Sequence, residues 1–312
     1  MVNETDVTEF FLLGFSDVHE LQVLHVAVFL CIYLAALMGN FLLVLIVVQN
    51  QSLHSPMYFF LANLSLSDAF YISVTVPKSM VVSVTNNKRI SFSGCVSQLF
   101  SVVTCAGAEL TFLCVMAYDR YVAICHPLQY MIIMNWNACV QMAAASWISS
   151  LMNAALHTAN TFRLHFCASN IKQFFCDIPQ LLMISCTDTK ANVIVLLIEI
   201  LIGGPFFFFF IAVSYGFIFS AVFKIHSAQA RYKAFSTCLP HLTVFSLFLS
   251  TTVFSYFRPK SLSSPPVDLL AAVLYTVLPP LLNPVIYSLR NKDIQVAIQK
   301  VSKKLLGSHL MS

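Results

Sequence analysis

The sequence predicts an all-α membrane protein with seven transmembrane helices and a short amphipathic cytoplasmic helix. Two observations support this fold class. Only 10% of the 312 residues are charged, 58% are hydrophobic, and the charged residues avoid seven long stretches. A soluble domain carries roughly 25% charged residues, so the composition excludes a soluble globular protein and a disordered chain. It also excludes a nucleic-acid binder, which needs a basic face.

The length of the seven apolar stretches justifies reading each as a membrane-crossing helix. Such a helix needs about 20 residues, whereas the strands of a membrane barrel have about 9–11 alternating residues. The stretches are too long and too continuously apolar for a barrel. The predicted spans are Val23–Val48, Met57–Val82, Cys95–Tyr118, Ala138–Asn160, Ala191–Phe223, Ala234–Phe257 and Leu269–Leu289.

The charges at the two ends of the chain predict its orientation. The first 20 residues contain five acidic residues and no Lys or Arg, whereas residues 290–312 contain five Lys or Arg. The positive-inside tendency places the N-terminal tail, residues 1–22, outside the plasma membrane and residues 290–312 in the cytosol. Residues 23–289 form the transmembrane domain. The amphipathic helix is predicted from apolar residues at three- and four-residue spacing in a lysine-rich segment: Ile294, Ala297, Ile298, Val301 and Leu305.

Two features agree with an external N-terminus. Asn3 begins an Asn-Glu-Thr acceptor for N-glycosylation, which works only on the lumenal side; a chance tripeptide is the alternative. Four cysteines, Cys95, Cys167, Cys176 and Cys186, fall on the predicted outer side, where disulfides persist. Four cysteines allow three pairings, and the sequence alone does not choose among them.

Three acidic residues lie inside predicted spans, where a charge costs several kcal/mol unless it is paired or hydrated. Asp68 and Glu109 lie near the middle of their spans, and two adjacent carboxylates need a cation or a proton. They therefore predict a sodium or proton site; two separately hydrogen-bonded carboxyls are the alternative. Glu199 lies ~12 Å into span five, a depth that suits contact with a cationic ligand. A basic loop partner or a protonated carboxyl are the alternatives.

Two polar motifs lie at the predicted cytoplasmic ends of spans three and seven. In Asp119-Arg120-Tyr121, the arginine can be held by the neighbouring aspartate and released to contact another protein; a membrane-edge anchor is the alternative. Pro284 follows Asn283 and removes a backbone hydrogen bond, which kinks span seven. Such a kink suits a moving segment, and a passive kink is the alternative.

Several motifs occur in order along the spans, and together they resemble the olfactory receptors, a branch of the rhodopsin-like G-protein-coupled receptors. The resemblance runs from Asn3 to about Lys300. The motifs are Gly39-Asn40 in span one, Leu53–Leu61 and Leu64–Asp68 around span two, Met116–Cys125 closing span three, Ser214-Tyr215 in span five, Lys233–Cys238 and His241 in span six, and Pro279–Tyr287 in span seven.

The resemblance implies that a small volatile odorant binds between spans three, five, six and seven and activates a stimulatory heterotrimeric G protein, which raises cyclic AMP. It also implies disulfides between Cys95 and Cys176 and between Cys167 and Cys186. It assigns Asp68 and Glu109 to a sodium site. The residues expected to contact the G protein or to form the moving switch are Asp119, Arg120, Tyr121, Tyr215, Lys233, His241, Asn283, Pro284 and Tyr287.

Helical spacing predicts the lining of the odorant pocket. The span-three residues lie ~10–18 Å below Cys95, those of span five lie at similar depth, and those of spans six and seven form stripes. The lining residues are largely apolar, as in most small-molecule sites, although such stripes also occur in helix–helix packing. The predicted lining residues are Val102, Val103, Ala106 and Gly107 on span three, Glu199, Ile200 and Gly203 on span five, Leu249, Thr252, Val253 and Tyr256 on span six, and Val273 and Thr276 on span seven.

The sequence departs from the family in the middle of span six. The family usually has Phe-Tyr-Gly there, whereas this chain has Phe248-Leu249-Ser250. The missing tyrosine hydroxyl puts in doubt any transfer of that residue's ligand-sensing role. Glu199 is also atypical at a pocket-facing position, which strengthens the hypothesis of a cationic ligand.

Two other function classes fit parts of the pattern. Asp68, Glu109 and Glu199 would suit the proton path of a transporter or channel, but the sequence shows no inverted repeat or paired broken helices. An intramembrane enzyme is the third class, but no metal-ligand cluster or nucleophile–base motif stands out. We therefore predict a receptor, not an enzyme, with no cofactor apart from an allosteric sodium ion.

Overall fold

The structure is a computed structural model that describes residues 7–16, 18–257, 264–291 and 293–300. Within these residues, seven helices have 26 to 34 residues. They are α1 (His19–Gln49), α2 (Pro56–Thr85), α3 (Phe92–Cys125), α4 (Trp136–Phe162), α5 (Lys190–Phe223), α6 (Ala228–Phe257) and α7 (Pro265–Arg290), and a further helix, α8, covers residues 293–300.

Each predicted span lies inside one of these helices, which confirms the all-α membrane fold. Six of the helices are long and apolar enough to cross a membrane. The seventh, α4, has 27 residues and no Asp, Glu, Lys or Arg, but it is richer in Asn, Ser and Thr. The polar residues of α4 matter below because some of them are buried.

Local sequence signals fix where several helices begin. Pro56 is the first residue of α2, where its missing N–H breaks no helical hydrogen bond. The Ser91 hydroxyl accepts a hydrogen bond from the Gly94 N–H (3.1 Å) and caps α3. The Asn135 side chain accepts one from the Ala138 N–H (3.0 Å) at the start of α4. Side-chain caps of this kind satisfy backbone donors that a helix leaves unpaired.

Helix α3 lies at the centre of the bundle and contacts α2, α4, α5 and α6, whereas α7 packs against α1, α2 and α6. The largest hydrophobic cluster joins these helices in the inner half, with Phe60, Phe112 and Tyr287 almost fully buried. Ile294 and Ala297 of α8 belong to the same cluster. The apolar face predicted for the C-terminal segment therefore packs on the bundle as far as residue 300; Val301 and Leu305 lie outside the described residues.

A small β-sheet on the side of the bundle predicted to be outer was not expected from the sequence. Strands β1 (Glu9–Leu12), β2 (Arg89–Ser91) and β3 (Asn170–Ile171) form a sheet in the order β2-β1-β3. Strand β1 runs antiparallel to β2 and parallel to β3. Phe10 and Leu12 point inward and are 0% and 2% exposed. Part of the N-terminal segment therefore covers the bundle; Asn3 lies outside the described residues.

Two disulfides hold the outer loop that connects α4 to α5, residues 163–189. Cys176 is bonded to Cys95 near the start of α3, and Cys167 is bonded to Cys186 within the loop. These are the two pairs that the resemblance implied. The first bond ties the loop to the central helix, and the second closes a small ring within it.

Candidate functional site

Two aromatic side chains of the outer loop fill the outer centre of the bundle. Phe174 and Phe175 are each 1% exposed, and they pack in one cluster with residues of α2, α3 and α7. The other buried members are Tyr71, Val102, Cys105, Ala272 and Tyr275. The outer loop therefore forms a wall of the region in which the pocket was predicted.

Gln98 on α3 fixes the position of this aromatic pair. Its Oε1 accepts a hydrogen bond from the Cys176 N–H (2.9 Å), and its Nε2 donates one to the Val74 carbonyl (2.9 Å). Sequence reasoning missed Phe174 and Phe175. The available signal was their position directly before Cys176, because a bond from that cysteine to α3 brings its neighbours over the bundle centre.

The predicted residues of α3 do not all face one cavity. Val102 joins the cluster around Phe174, whereas Val103 packs with the cluster beneath the β-sheet. Ala106 is half-buried. Gly107 faces α4, because a Cβ atom there would lie 3.2 Å from the Ser150 hydroxyl oxygen. The absence of a side chain at Gly107 thus serves close packing of α3 on α4.

The predicted residues of α6 and α7 are also divided. Leu249 packs against the large inner cluster and Val273 against the cluster that contains the aromatic pair. Thr252 has a buried hydroxyl with no hydrogen-bond partner, whereas Thr276 donates to the Ala272 carbonyl (2.8 Å). Thr252 is therefore an α6 residue of the predicted lining with an unmet hydrogen bond. Val253 is 45% exposed, and the side chain of Tyr256 lies outside the described part of the chain.

A π-helical turn interrupts α5 at Glu199–Gly203 and carries the three predicted residues of that helix. Oε2 of Glu199 lies 2.9 Å from Nε2 of His157 on α4. The contact is an ion pair only when the imidazole is protonated. Ile200 is half-buried, and a Cβ on Gly203 would meet nothing within 4 Å.

More polar groups lie near the His157–Glu199 pair without partners. Thr158 and Thr161 are 7% and 1% exposed, Asn192 on α5 is 4% exposed, and an oxygen atom of each lacks a hydrogen bond. Asn192 precedes Glu199 by two helical turns, so both occupy one face of α5. Buried unpaired groups cost free energy, and several of them make the adjoining ends of α4 and α5 a candidate polar site. The α4 residues were missed because its span is uncharged.

The two central acids share one amide partner. Nδ2 of Asn283 donates to Asp68 Oδ2 (2.9 Å) and to Glu109 Oε1 (3.2 Å), and all three residues are at most 2% exposed. Oδ1 of Asn283 has no hydrogen-bond partner. Two carboxyl groups and a free amide oxygen are the oxygen ligands that hard cations prefer. Among the described residues, no group of three or more His, Cys, Asp or Glu is placed to hold a metal ion.

The proline kink in α7 is supported from α1. Pro284 has no N–H and cannot donate to the Pro280 carbonyl four residues earlier. Nδ2 of Asn40 donates to that carbonyl instead (2.8 Å). Gly39 allows the close approach, because a Cβ there would lie 3.0 Å from the Pro284 ring. The Gly39-Asn40 motif thus stabilises the kinked segment that also carries Asn283.

At the inner end of α3, the charged motif is held by two contacts. Arg120 Nε donates to Asp119 Oδ2 (2.8 Å). Tyr130 begins a short helix, Tyr130–Ile133, before α4, and its hydroxyl donates to Asp119 Oδ1 (2.7 Å). Burial, together with the neighbouring Asp119, raises the pKa of Tyr130, so the hydroxyl keeps its proton. The Tyr121 hydroxyl contacts Nε2 of His126 (3.0 Å). Tyr130 had no sequence signal of its own.

A histidine connects α3, α5 and α6 next to this motif. Nε2 of His241 lies 2.8 Å from the Leu113 carbonyl oxygen, and Nδ1 lies 2.8 Å from the Tyr215 hydroxyl. The carbonyl can only accept, so Nε2 carries the proton and the tyrosine donates to Nδ1. Tyr287 is 1% exposed with an unpaired hydroxyl, whereas Lys233 is exposed at the start of α6.

Comparisons with known proteins agree on one family. The family model described as "Olfactory receptor" matches residues 29–304. Olfactory receptor 14C36 of Homo sapiens is 51% identical over 309 residues, covering 99% of this chain and 99% of that protein. Olfactory receptor 14I1 of Homo sapiens is also 51% identical, covering 98% of each chain. Squid rhodopsin shares the fold, with a TM-score of 0.75 at 16% identity over 94% of this chain and 84% of that chain.

Proposed function

The chain belongs to the olfactory receptor family, and on that premise we propose that a small volatile ligand makes it activate a stimulatory heterotrimeric G protein and raise cyclic AMP. The protein is a multi-pass membrane receptor of the G-protein-coupled class and not an enzyme. We further propose that it acts in the plasma membrane with its N-terminus outside. The disulfide-bonded outer loop and the acidic N-terminal tail support this orientation.

The proposed ligand site lies in the outer half of the bundle. Its apolar wall comes from α3, α6, α7 and the Phe174–Phe175 pair, and its polar anchor is Glu199. A volatile amine is the ligand class whose charge complements the Glu199 carboxylate and whose apolar part suits the apolar wall. The 2.9 Å approach of His157 modifies this hypothesis, because a protonated imidazole would compete with the amine for the same carboxylate.

Activation would proceed by a shift between two arrangements of the bundle. A ligand that binds the active arrangement better than the resting one increases its population. Helices α5 and α6 would then move at the inner face and open a groove near Arg120, Tyr215 and Lys233. The observation that carries this proposal is the His241 bridge, which links the two moving helices to α3 beside Arg120. Coupling is reciprocal, so bound G protein would tighten ligand binding.

A sodium ion is proposed as an allosteric ligand of the two central acids. Asp68, Glu109 and the free Oδ1 of Asn283 would hold it. The ion would neutralise carboxylates that otherwise need protons in a low-dielectric interior. Its preference for one arrangement of the bundle would shift the same equilibrium that the ligand shifts.

The ligand hypothesis is tested with a cyclic-AMP screen of volatile amines, alcohols, acids and carbonyl compounds. Wild type is compared with Glu199→Gln and with Glu20→Gln, which removes an exposed acid at the start of α1. An amine response lost only in Glu199→Gln supports ionic recognition. An identical pattern of responses in all three proteins would show that Glu199 does not contact the ligand.

The signalling hypothesis has a separate test. Arg120→Ala should abolish ligand-evoked cyclic AMP while surface expression, measured by antibody staining of intact cells, stays near that of wild type. Lys224→Ala, which removes an exposed basic residue at the end of α5, serves as the control for loss of positive charge. A normal response from Arg120→Ala would contradict the proposed mechanism.

A further inference from the structure

The membrane-facing side of α3 and α5 carries a groove that the signalling proposal does not use. Its volume is about 530 Å³, and its aromatic lining comes from Tyr118 and Tyr121 on α3 and Phe206, Phe209, Phe210 and Phe217 on α5. Small-molecule sites have volumes of roughly 300–1,000 Å³. The groove is open to the side, since Phe206 and Phe209 are each 62% exposed.

The sequence builds the α5 wall of this groove from a run of five phenylalanines. Phe206 and Phe210 lie four residues apart, and Val213 and Phe217 continue the stripe at three- and four-residue steps, so all four occupy one face of the helix. From Phe206 to Phe217 the stripe extends ~16 Å. Half of the ~30 Å hydrocarbon core is about 15 Å, so the groove extends across the depth of one leaflet.

The position of the two tyrosines sets the direction of the groove. Tyr118 and Tyr121 flank Arg120, at the predicted cytoplasmic end of α3, and therefore bring hydroxyl groups to the inner membrane interface, where the Tyr121 hydroxyl also contacts Nε2 of His126 (3.0 Å). The deeper part, around Phe206, is entirely apolar. A molecule that fills the groove must therefore be apolar over the depth of one leaflet and polar at the end near the inner membrane surface. Because the groove opens to the side, this molecule must enter from the bilayer.

From this geometry we propose that the groove binds a membrane sterol of the inner leaflet, with its hydroxyl near Tyr118 and Tyr121 and its fused rings against the phenylalanines. Aromatic side chains are rigid and lose little conformational entropy on binding. A rigid ligand likewise loses less than a flexible acyl chain, so flat walls favour a fused-ring occupant. Val115, Tyr118 and Arg120 also fit the loose pattern suggested for cholesterol contact, a weak signal alone.

The groove touches the residues that connect α3 to α5. The rings of Tyr121 and Phe217 lie 5.9 Å apart between centroids, and Ser214, which also lines the groove, precedes Tyr215 of the histidine bridge. A bound sterol therefore contacts both helices at once and stabilises this arrangement of them. This inference does not depend on the identity of the odorant or of the G protein.

The binding test uses the full-length receptor in phosphatidylcholine nanodiscs with a photoreactive cholesterol analogue. Labelled peptides are mapped, and unlabelled cholesterol is added as a competitor. Labelling should concentrate on the segments around Tyr118 and Phe209 and decrease several-fold in Val213→Trp, which fills the groove. Val140→Trp is the matched control, because Val140 is 45% exposed on α4 and Val213 is 54% exposed.

A second variant keeps the proposal falsifiable if Val213→Trp folds poorly. The double variant Phe206→Leu and Phe209→Leu stays apolar but loses the flat walls, and it should also decrease labelling several-fold. Equal labelling of wild type and either groove variant would overturn the proposal. So would a photoreactive phosphatidylcholine that labels the groove as strongly as the sterol analogue and is not displaced by cholesterol, because the groove would then hold ordinary acyl chains.

Discussion

Nε2 of His157 on α4 lies 2.9 Å from Oε2 of Glu199 on α5. His157 is nearly buried, with 4% of its side chain exposed, whereas 41% of the Glu199 side chain is exposed. Glu199 is thus partnered by side chains of the adjacent helix, His157 and Asn153, and not by a basic residue of a loop. The contact joins α5 to α4 at the π-helical turn, where α5 has few other buried side chains.

We expect His157 and Glu199 to be energetically coupled. Glu199→Gln removes the carboxylate that faces a buried imidazole, and His157→Phe removes the imidazole, so each single variant should lower the thermal unfolding midpoint. The loss of stability in the double variant should be smaller than the sum of the losses in the two single variants, which corresponds to a coupling free energy of about 0.5–3 kcal/mol. Thermal unfolding of the four purified proteins in nanodiscs measures this cycle. Strictly additive losses would show that the two side chains do not interact.

The histidine bridge yields a prediction about basal signalling. The His241 Nε2–H donates to the Leu113 carbonyl (2.8 Å), and this bond must break if α6 moves away from α3. A hydrogen bond contributes about 0.5–1.5 kcal/mol net, so its loss shifts a two-state equilibrium several-fold. His241→Phe should therefore raise ligand-independent cyclic AMP several-fold at equal surface expression.

The control for His241→Phe is a substitution on an exposed face of the same helix. Thr243 is exposed and bonds only within α6, to the Leu239 carbonyl, so Thr243→Val should leave basal cyclic AMP unchanged. Basal signalling of His241→Phe at or below the wild-type level would show that the bond to Leu113 does not hold the resting state.

The membrane made the helical part of the fold predictable. Backbone groups in hydrocarbon must be satisfied within a helix or a closed barrel, so each long apolar run became one helix, and helix starts such as Pro56 carry local signals. The mid-span positions of Asp68 and Glu109 also indicated that the two acids approach one another, whereas Asn283 was not predicted to be their shared partner. The β-sheet could not be predicted in the same way, because a four-residue strand depends on partners far away in the sequence.

The direction in which each helix face points was less predictable. A long apolar run does not define how its helix is rotated about its own axis. Gly107 was therefore expected in the pocket, although it faces α4. The π-helical turn at Glu199–Gly203 changes the register of α5, which a list based on 3.6 residues per turn cannot anticipate. The role of Phe174 depends on the path of a disulfide-bonded loop, which no local pattern specifies.

The central acids predict a specific effect of sodium. If sodium binds Asp68 and Glu109, it stabilises the folded protein. Above the dissociation constant, this stabilisation increases with the logarithm of the sodium concentration. Replacing potassium chloride by sodium chloride at constant ionic strength should raise the thermal unfolding midpoint of wild type. Asp68→Asn should abolish this difference, whereas Glu20→Gln should retain it. A sodium effect that persists in Asp68→Asn would place the ion elsewhere.

The outer loop predicts a pH dependence through Asp177, which follows Cys176 and precedes the short helix Ile178–Met183. Burial raises the pKa of Asp177 from 3.8 to about 6, so between these values the folded protein holds the proton that the unfolded chain has released. The free energy of unfolding that depends on Asp177 therefore decreases as pH rises from about 4 to about 6, and it does not change further above about pH 6. At neutral pH, the ionised Asp177 lowers the free energy of unfolding by an amount on the order of 1–3 kcal/mol.

Asp177→Asn removes this cost, because the amide stays neutral and asparagine is an equally good residue before a helix. The variant should unfold at a higher temperature than wild type at pH 7, and the difference should nearly vanish at about pH 4. Thermal unfolding in nanodiscs across this range measures it. Asp188→Asn is the matched control, because Asp188 is an acid of the same loop with 64% of its side chain exposed. A pH-independent difference for Asp177→Asn would mean that ionisation of Asp177 does not destabilise the loop.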